Sequence, residues 1–382
     1  MLRPVVLALT VCSGFTGLAY EVTWQKYLAI LLGAHGEATA AVLGLFLGGL
    51  SLGYWLFGVA TRRLVLRGRS SGRPAPLLTV YGIVEAGIGA WCLSFPWLFQ
   101  AVRSASVWLP IGSGALAFAV DVALAAALIV PPATLMGGTI PILTQALARI
   151  LADATRVHAQ IYAANTAGAF AGTLATGFVL IHWLGLEGTL YAMGAVNVAV
   201  GGAFALLGRR RRELVDLDAD EAAPVRAGVF AVYGPIALLV GFAMMVLQTV
   251  AIRVGGLAFG SSEYTFTMVV AVFVLCIALG SFAVSALPSI GRAVLPAALW
   301  VLGLLFTALY FLLETSPYWA HLLRVVFRDA SFAFYPYYFL VFIAILAAIG
   351  PAVVFSGAVL PLLFHALRRE VGSLGSQAGR LY

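Results

Sequence analysis

The sequence predicts an all-α membrane protein that crosses the bilayer many times, and three observations predict it. Apolar runs of about 20 residues or more recur along almost the whole chain, each long enough to span a bilayer as a helix. Of the 382 residues, 62% are hydrophobic and only 10% charged, where a soluble domain carries about a quarter charged residues. The basic residues stand between the apolar runs and favour alternate loops, which is the topology signal of a membrane protein. Mean hydropathy is +1.03. The 41 glycines suit close helix contacts in lipid. No stretch alternates apolar and polar over strand length, which argues against a membrane β-barrel.

Taken in order, the runs predict ten spans: 5–32, 38–60, 77–101, 115–147, 161–183, 187–207, 228–255, 264–287, 293–314 and 337–366. The first resembles a signal peptide at its start. Polar Glu21, Gln25 and Lys26 follow, the apolar run resumes at Leu28, and no small-x-small cleavage site stands out, so it reads as a retained helix. The second span is followed by Arg62, Arg63, Arg67, Arg69 and Arg73, and the fourth by Arg149 and Arg156. Arg209–Arg212 and Arg226 follow the sixth, and Arg368 and Arg369 the tenth. The alternate loops, such as 34–37 and 183–187, are short or mixed in charge. The positive-inside rule then places the N-terminus and the 209–227 linker in the cytoplasm.

That linker is the one clear boundary. Arg209–Arg212 is followed by Glu213, Asp216, Asp218, Asp220 and Glu221, a polar stretch short of aromatics. It separates a first membrane repeat, 1–208, from a second, 228–382. The connection 315–336 mixes Trp319, Leu322, Leu323, Val325, Val326 and Phe327 with His321, Arg324 and Arg328. It reads either as a short helix on the outer membrane surface or as an ordered loop.

The two halves match in order. At a shift of 227 residues Gly14-Phe15 meets Gly241-Phe242, Glu21 meets Gln248, and Lys26 meets Arg253. Gly33 meets Gly260, and Leu52-Gly53 meets Leu279-Gly280. At a shift of 220, the run Met136–Pro141 meets Ser356–Pro361, and Ile161-Tyr162 meets Leu381-Tyr382. The near-constant shift predicts a duplicated unit, with both copies starting on the cytoplasmic side. Parallel repeats of this kind are typical of two-halved transporters. In the first half Tyr162 opens two further spans, so the repeat leads to the expectation of a further helix pair after Tyr382, in a longer natural chain or on a second polypeptide.

The net charge of +7 does not point to nucleic acid, because the arginines serve as loop charges. Lys26 is the sole lysine; it lies five residues after Glu21, about 140° away round a helix, so the two do not share a face. Lys26 reads either as a site residue or as a snorkelling side chain at the helix end. Glu21 lies well inside its span, and its counterpart Gln248 is also polar. It reads equally as a proton carrier, a cation site or a structural acceptor. Glu85 and Asp121 are the other acidic candidates, Asp121 nearer the start of its span, and Trp24 lies between Glu21 and Lys26. Gly137, Gly138 and Pro141 are expected to break the fourth span, as Gly350, Pro351 and Pro361 are the tenth. Kinks at matching places point to a transport path or hinge, and plain packing is the rival reading. Asn165, expected in the first turn of the fifth span, reads as a cross-helix hydrogen bonder. Cys12, Cys92 and Cys276 lie in apolar runs without metal or redox spacing. No zinc-protease, nucleophile–His–acid, dinucleotide or P-loop pattern occurs, so neither metal nor cofactor is expected.

The run Cys12-Ser-Gly-Phe-Thr-Gly-Leu-Ala-Tyr-Glu21-Val-Thr-Trp24-Gln-Lys26 resembles the start of the membrane region of fused spermidine-synthase-like proteins. Leu135–Pro141 and Ile161–Gly168 follow in the same order. The resemblance implies a major-facilitator-like helix bundle joined to an aminopropyltransferase domain, in a bacterial cytoplasmic membrane. The soluble synthase domain is absent from these 382 residues, so no catalytic role carries over. The leading expectation is a transporter-like domain for a small, polyamine-like cation, handled near Glu21, Glu85 and Gln248. The rival is a non-transporting anchor or scaffold for a synthase-like domain or other membrane subunits. A third class, an intramembrane enzyme, lacks a catalytic set.

Overall fold

The computed structural model describes residues 2–33, 36–71, 75–108, 113–147, 151–210, 227–260, 262–287, 290–328 and 333–371. The 211–226 linker arginines and acids, Arg73, Arg149, and the Leu381-Tyr382 match lie outside them. The regular elements are all helical: α1 (Leu2–Leu32), α2 (Gly36–Ser70), α3 (Leu77–Trp108), α4 (Gly114–Leu147), α5 (Leu151–Ala175), α6 (Ile181–Arg210), α7 (Ala227–Phe259), α8 (Glu263–Ser285), α9 (Val294–Val326) and α10 (Phe334–Val371). Among the described residues, nine segments are long and apolar enough to cross a membrane.

The predicted count of ten differs from nine at the fifth and sixth spans. These form one segment of 50 residues, Gln160–Arg209. At about 1.5 Å per residue that is more than twice the ~30 Å hydrocarbon thickness. The chain reverses inside it at Gly185, whose φ of 68° and ψ of −179° belong to a region essentially confined to glycine. Trp183 and Leu184 beside it are exposed.

Three other expectations are corrected. Residues 315–326 are neither a surface helix nor a loop but the last turns of α9. Pro131, Pro132 and Pro141 lie inside an unbroken α4, and Pro351 and Pro361 inside an unbroken α10. Buried neighbours and local adjustment tolerate the freed backbone groups in a membrane helix. Asn165 is not in a first turn: α5 begins at Leu151, so Asn165 is mid-helix.

The chain divides into two compact units, Met1–Asp220 and Glu221–Leu381. In the first, α1 packs on α5, α2 on α4, and α3 on α6. Glycines set each contact line by letting backbones meet. A Cβ built at Gly14 would overlap the Asn165 carbonyl, one at Gly168 the Val11 carbonyl, and one at Gly172 the Phe15 carbonyl. Gly82 and Gly201 meet across α3 and α6 in the same way, as do Gly89 and Gly194. The aromatic-rich core of this unit includes Tyr20, Trp24, Phe46, Tyr81, Phe95, Phe99 and Phe204.

In the second unit α10 packs on α7, α8 and α9. Gly53 faces the Thr134 backbone, and Gly280 faces the Val354 backbone. Gly137 faces Leu50, and Gly357 faces Ile277. The α2–α4 and α8–α10 contacts therefore join the same pairs of positions at the shifts of 227 and 220. Gly33 and Gly260 also agree, ending α1 and α7 with φ of 81° and 106°. Pro96 in α3 and Pro317 in α9 stand 221 residues apart, an offset that also pairs Gly82 with Gly303.

Candidate functional site: buried polar groups on the first helix

Ser13 and Tyr20 stand seven residues apart on α1, two turns along one face. Tyr81 and Glu85 are one turn apart on α3. The close approach of α3 and α6 at Gly82–Gly201 and Gly89–Gly194 brings Asn197 to the same level. Glu85 is 0% exposed. Ser13 Oγ donates to Glu85 Oε1 at 2.5 Å, and Asn197 Nδ2 donates to Glu85 Oε2 at 2.5 Å. Tyr20 OH donates to Asn197 Oδ1 at 3.1 Å, and the Tyr81 hydroxyl adjoins the same carboxyl. Both carboxyl oxygens thus have donors from three different helices, and none of these partners is basic. Such a network ties helices together because an unpaired buried polar group is costly.

Glu21 is placed differently. It is 8% exposed, and among the described residues its carboxyl has no hydrogen-bond or ion-pair partner. Three residues on, Trp24 is fully buried, and its Nε1–H has no acceptor among the described residues. The Trp24 ring stacks on Tyr20 at 5.5 Å and on Phe95 at 5.5 Å, with Phe46 edge-on. Tyr27 meets Phe95 and Phe99 edge-to-face. This aromatic plug fixes α1 against α3 directly past the carboxyl.

A π-helical turn, Thr176–Leu180, joins α5 to α6 and contacts α1. The pairs Gly168–Val11 and Gly172–Phe15 share one offset along α1. Carried a turn further, that offset sets Thr176–Leu180 level with Ala19–Thr23, the depth of Glu21. Thr176 Oγ1 is buried and has no partner among the described residues. π-turns recur at functional sites, and this one puts a wide turn beside an unpartnered acid.

The remaining candidates scatter. Lys26 is half-buried one turn beyond Val22. Asp121 Oδ1 accepts from Ser106 Oγ at 2.6 Å, which links the α3 and α4 ends. Gln248 is half-buried on α7 of the second unit. Gly137 and Gly138 are contact residues, against Leu50 and Phe57; Gly350 lies beside Leu346 and Cys276. Asn165 contributes its carbonyl to the Gly14 contact, and no side-chain hydrogen bond of it is found among the described residues. Sequence reasoning picked out Glu85 but missed its partners Ser13, Tyr81 and Asn197, and Tyr20 behind Asn197. The i, i+7 and i, i+4 spacings were visible; the α3–α6 contact that recruits Asn197 was not.

The second unit replaces these groups with apolar ones. At the shifts given above, Ser13, Tyr20, Tyr81 and Glu85 correspond to Val240, Leu247, Leu302 and Phe306. The polar network therefore belongs to one unit alone. No family model matches the chain, and comparison with curated proteins returns no match.

Proposed function

We propose that the chain is a transporter-like integral membrane domain that carries a small cation, polyamine-like in chemistry, past Glu21. The observation that carries the reading is a buried carboxyl on α1 with no partner among the described residues, flanked by the unsatisfied Trp24 Nε1–H and Thr176 Oγ1. A carboxyl at membrane depth is costly, and a cationic ligand would complete it. The matched glycine contacts of α2–α4 and α8–α10 support reading the two units as parallel repeats of a major-facilitator-like bundle. The arginine-rich alternate loops support a cytoplasmic N-terminus in a bacterial inner membrane. The test is uptake of labelled spermidine by proteoliposomes holding the chain. Glu21→Gln abolishes flux while leaving the protein monodisperse; unchanged flux would remove Glu21 from the path.

A second reading, a scaffold for a larger membrane assembly or a synthase-like domain, has its own support. Gly14 packs against α5, but a Cβ at its counterpart Gly241 meets nothing within 4 Å among the described residues. Gly82 packs against α6, and its counterpart Gly303 is equally open. Neighbouring Leu238 and Phe242 are 73% and 64% exposed. In this reading the faces of α7 and α9 seat a further helix pair of the α5–α6 kind. Spin labels at Gly241→Cys and Gly303→Cys, in a chain whose own cysteines are replaced by alanine, test it. Collision with oxygen dissolved in the bilayer falls in native membranes relative to the purified chain. Equal accessibility in both argues against a docked pair.

A further inference from the structure

The second unit contains a cavity of about 540 Å³ bounded by α7, α8, α9 and α10. Its position is set by what the sequence leaves out. At the shifts of 227 and 221, Trp24, Tyr27, Phe95 and Phe99 of the first unit correspond to Ala251, Val254, Ser316 and Ala320. All four of these line the cavity. Where one unit is plugged by four packed aromatic rings, the other has a methyl, an isopropyl, a hydroxymethyl and a methyl group. The hollow is the volume of the missing plug.

The wall chemistry selects the occupant. Among the described residues, only Ser316 and Trp319 bring polar side-chain atoms to the wall, and the Ser316 hydroxyl is committed to the Leu313 carbonyl at 2.7 Å. A polar solute or a water cluster would find too few partners, because water needs about two to four polar groups to stay in a cavity. Along α10 the wall runs from Leu340 to Ile349 and along α7 from Ala251 to Phe259. These lengths are about 12–14 Å at 1.5 Å per residue, close to one leaflet of a ~30 Å hydrocarbon core. Trp319, Leu340 and Ile343 line the cavity yet keep exposed surface, so it opens on the flank of the unit.

One end of the slot is basic. Ala258 and Leu323 form that end, and Arg324 Nη2 donates to the Ala258 carbonyl at 3.0 Å. This leaves other guanidinium donors of an exposed Arg324 directed to the surroundings. His321 precedes it by three residues on the same face of α9, and Arg328 follows just past the helix end, both exposed. Glu314 lies on α9 off the cavity wall.

We propose that this cavity is a lipid site: it takes one acyl chain of an anionic phospholipid, with the headgroup phosphate at Arg324. The chain is the hydrocarbon that fills the slot left by the aromatic plug, and the guanidinium is the charge that complements the phosphate. The site lies in the second unit and does not rest on the role of Glu21.

The first unit supplies the blocking substitutions. Full-length chain is purified in mild detergent, stripped of loosely held lipid, and titrated with phosphatidylglycerol under native mass spectrometry. Wild-type protein retains phosphatidylglycerol in preference to phosphatidylcholine of the same chains. Ser316→Phe with Ala320→Phe loses that retention and keeps or raises its unfolding temperature. Arg324→Gln keeps lipid binding but loses the preference for the anionic headgroup. A second measurement does not depend on the filled variant folding. Phosphatidylglycerol brominated along its chain quenches Trp319 fluorescence, read as the difference between wild type and Trp319→Phe, more than the phosphatidylcholine counterpart does. Undiminished retention in a folded filled variant, or equal quenching by the two lipids, overturns the proposal.

Discussion

One methyl group added at Gly14 and one at Gly241 should have opposite consequences, although the two positions correspond in sequence. At Gly14 the new Cβ overlaps the Asn165 carbonyl. Restoring a contact of about 3.5 Å would part α1 from α5 by roughly an ångström or more. Overpacking of this kind costs about 1–3 kcal/mol, and the helix preference of alanine over glycine returns about 1 kcal/mol. Gly14→Ala is therefore expected to lose about 1–2 kcal/mol, taking the upper part of that range. At Gly241 a Cβ meets no atom of the described residues within 4 Å, so only the helix preference acts, and Gly241→Ala gains up to about 1 kcal/mol. Gly53→Ala and Gly280→Ala serve as controls, because both face a neighbouring backbone, Thr134 and Val354, and both should destabilise. The assay is titration of the purified chain from mild detergent into SDS, followed by circular dichroism, with the midpoint compared among the four variants. If Gly241→Ala lowered the midpoint as far as Gly14→Ala, the geometry of the α7 face would be wrong, and with it the contrast between the two units.

Three further outcomes follow from two buried side chains and one glycine turn. Asn197→Leu leaves Glu85 Oε2 and the Tyr20 hydroxyl without their partner and should cost about 1–3 kcal/mol. A double-mutant cycle with Glu85→Gln, read in the same SDS titration, should show coupling of about 0.6–1.7 kcal/mol; additivity would mean the two side chains act independently. Trp24→Ala empties the centre of the aromatic plug and should cost about 3–5 kcal/mol, measured as a lower unfolding temperature. Gly185→Ala forces a β-carbon into a glycine conformation and should cost about 1–3 kcal/mol, with increased protease cleavage at the exposed turn as an independent reading.

The membrane class and the positions of the helices were legible because about 20 apolar residues are both necessary and conspicuous in a bilayer-spanning helix. Their ends were less so. α2 continues to Ser70 and α9 to Val326, carrying arginines or aromatics past the hydrocarbon limit, where hydropathy no longer distinguishes helix from loop. Proline and glycine misled for a related reason. Pro141 and Gly137 look like a break when read locally, but Gly137 is where α4 meets Leu50 of α2, and that contact holds the helix. Glu21 and Glu85 were equivalent as letters in apolar runs. Only the placement of Ser13, Tyr81 and Asn197 separates a carboxyl fully supplied with donors from one with none among the described residues. The cavity of the second unit was invisible in a different way: Ala251 and Ala320 are unremarkable in a membrane helix until set beside Trp24 and Phe99.

That hollow also bears on how the two units respond to compression. Hydrostatic pressure favours whichever state occupies less volume, and the volume lost on unfolding scales with the voids that unfolding removes. The aromatic-filled unit has little to give up. The second unit, with about 540 Å³ of loosely packed space among its helices, is the softer body, and pressure should loosen α7, α9 and α10 before it disturbs α1 and α3. A molecule of two compact units would then yield in two steps, and an occupant of the cavity would be recognised by the merging of those steps into one.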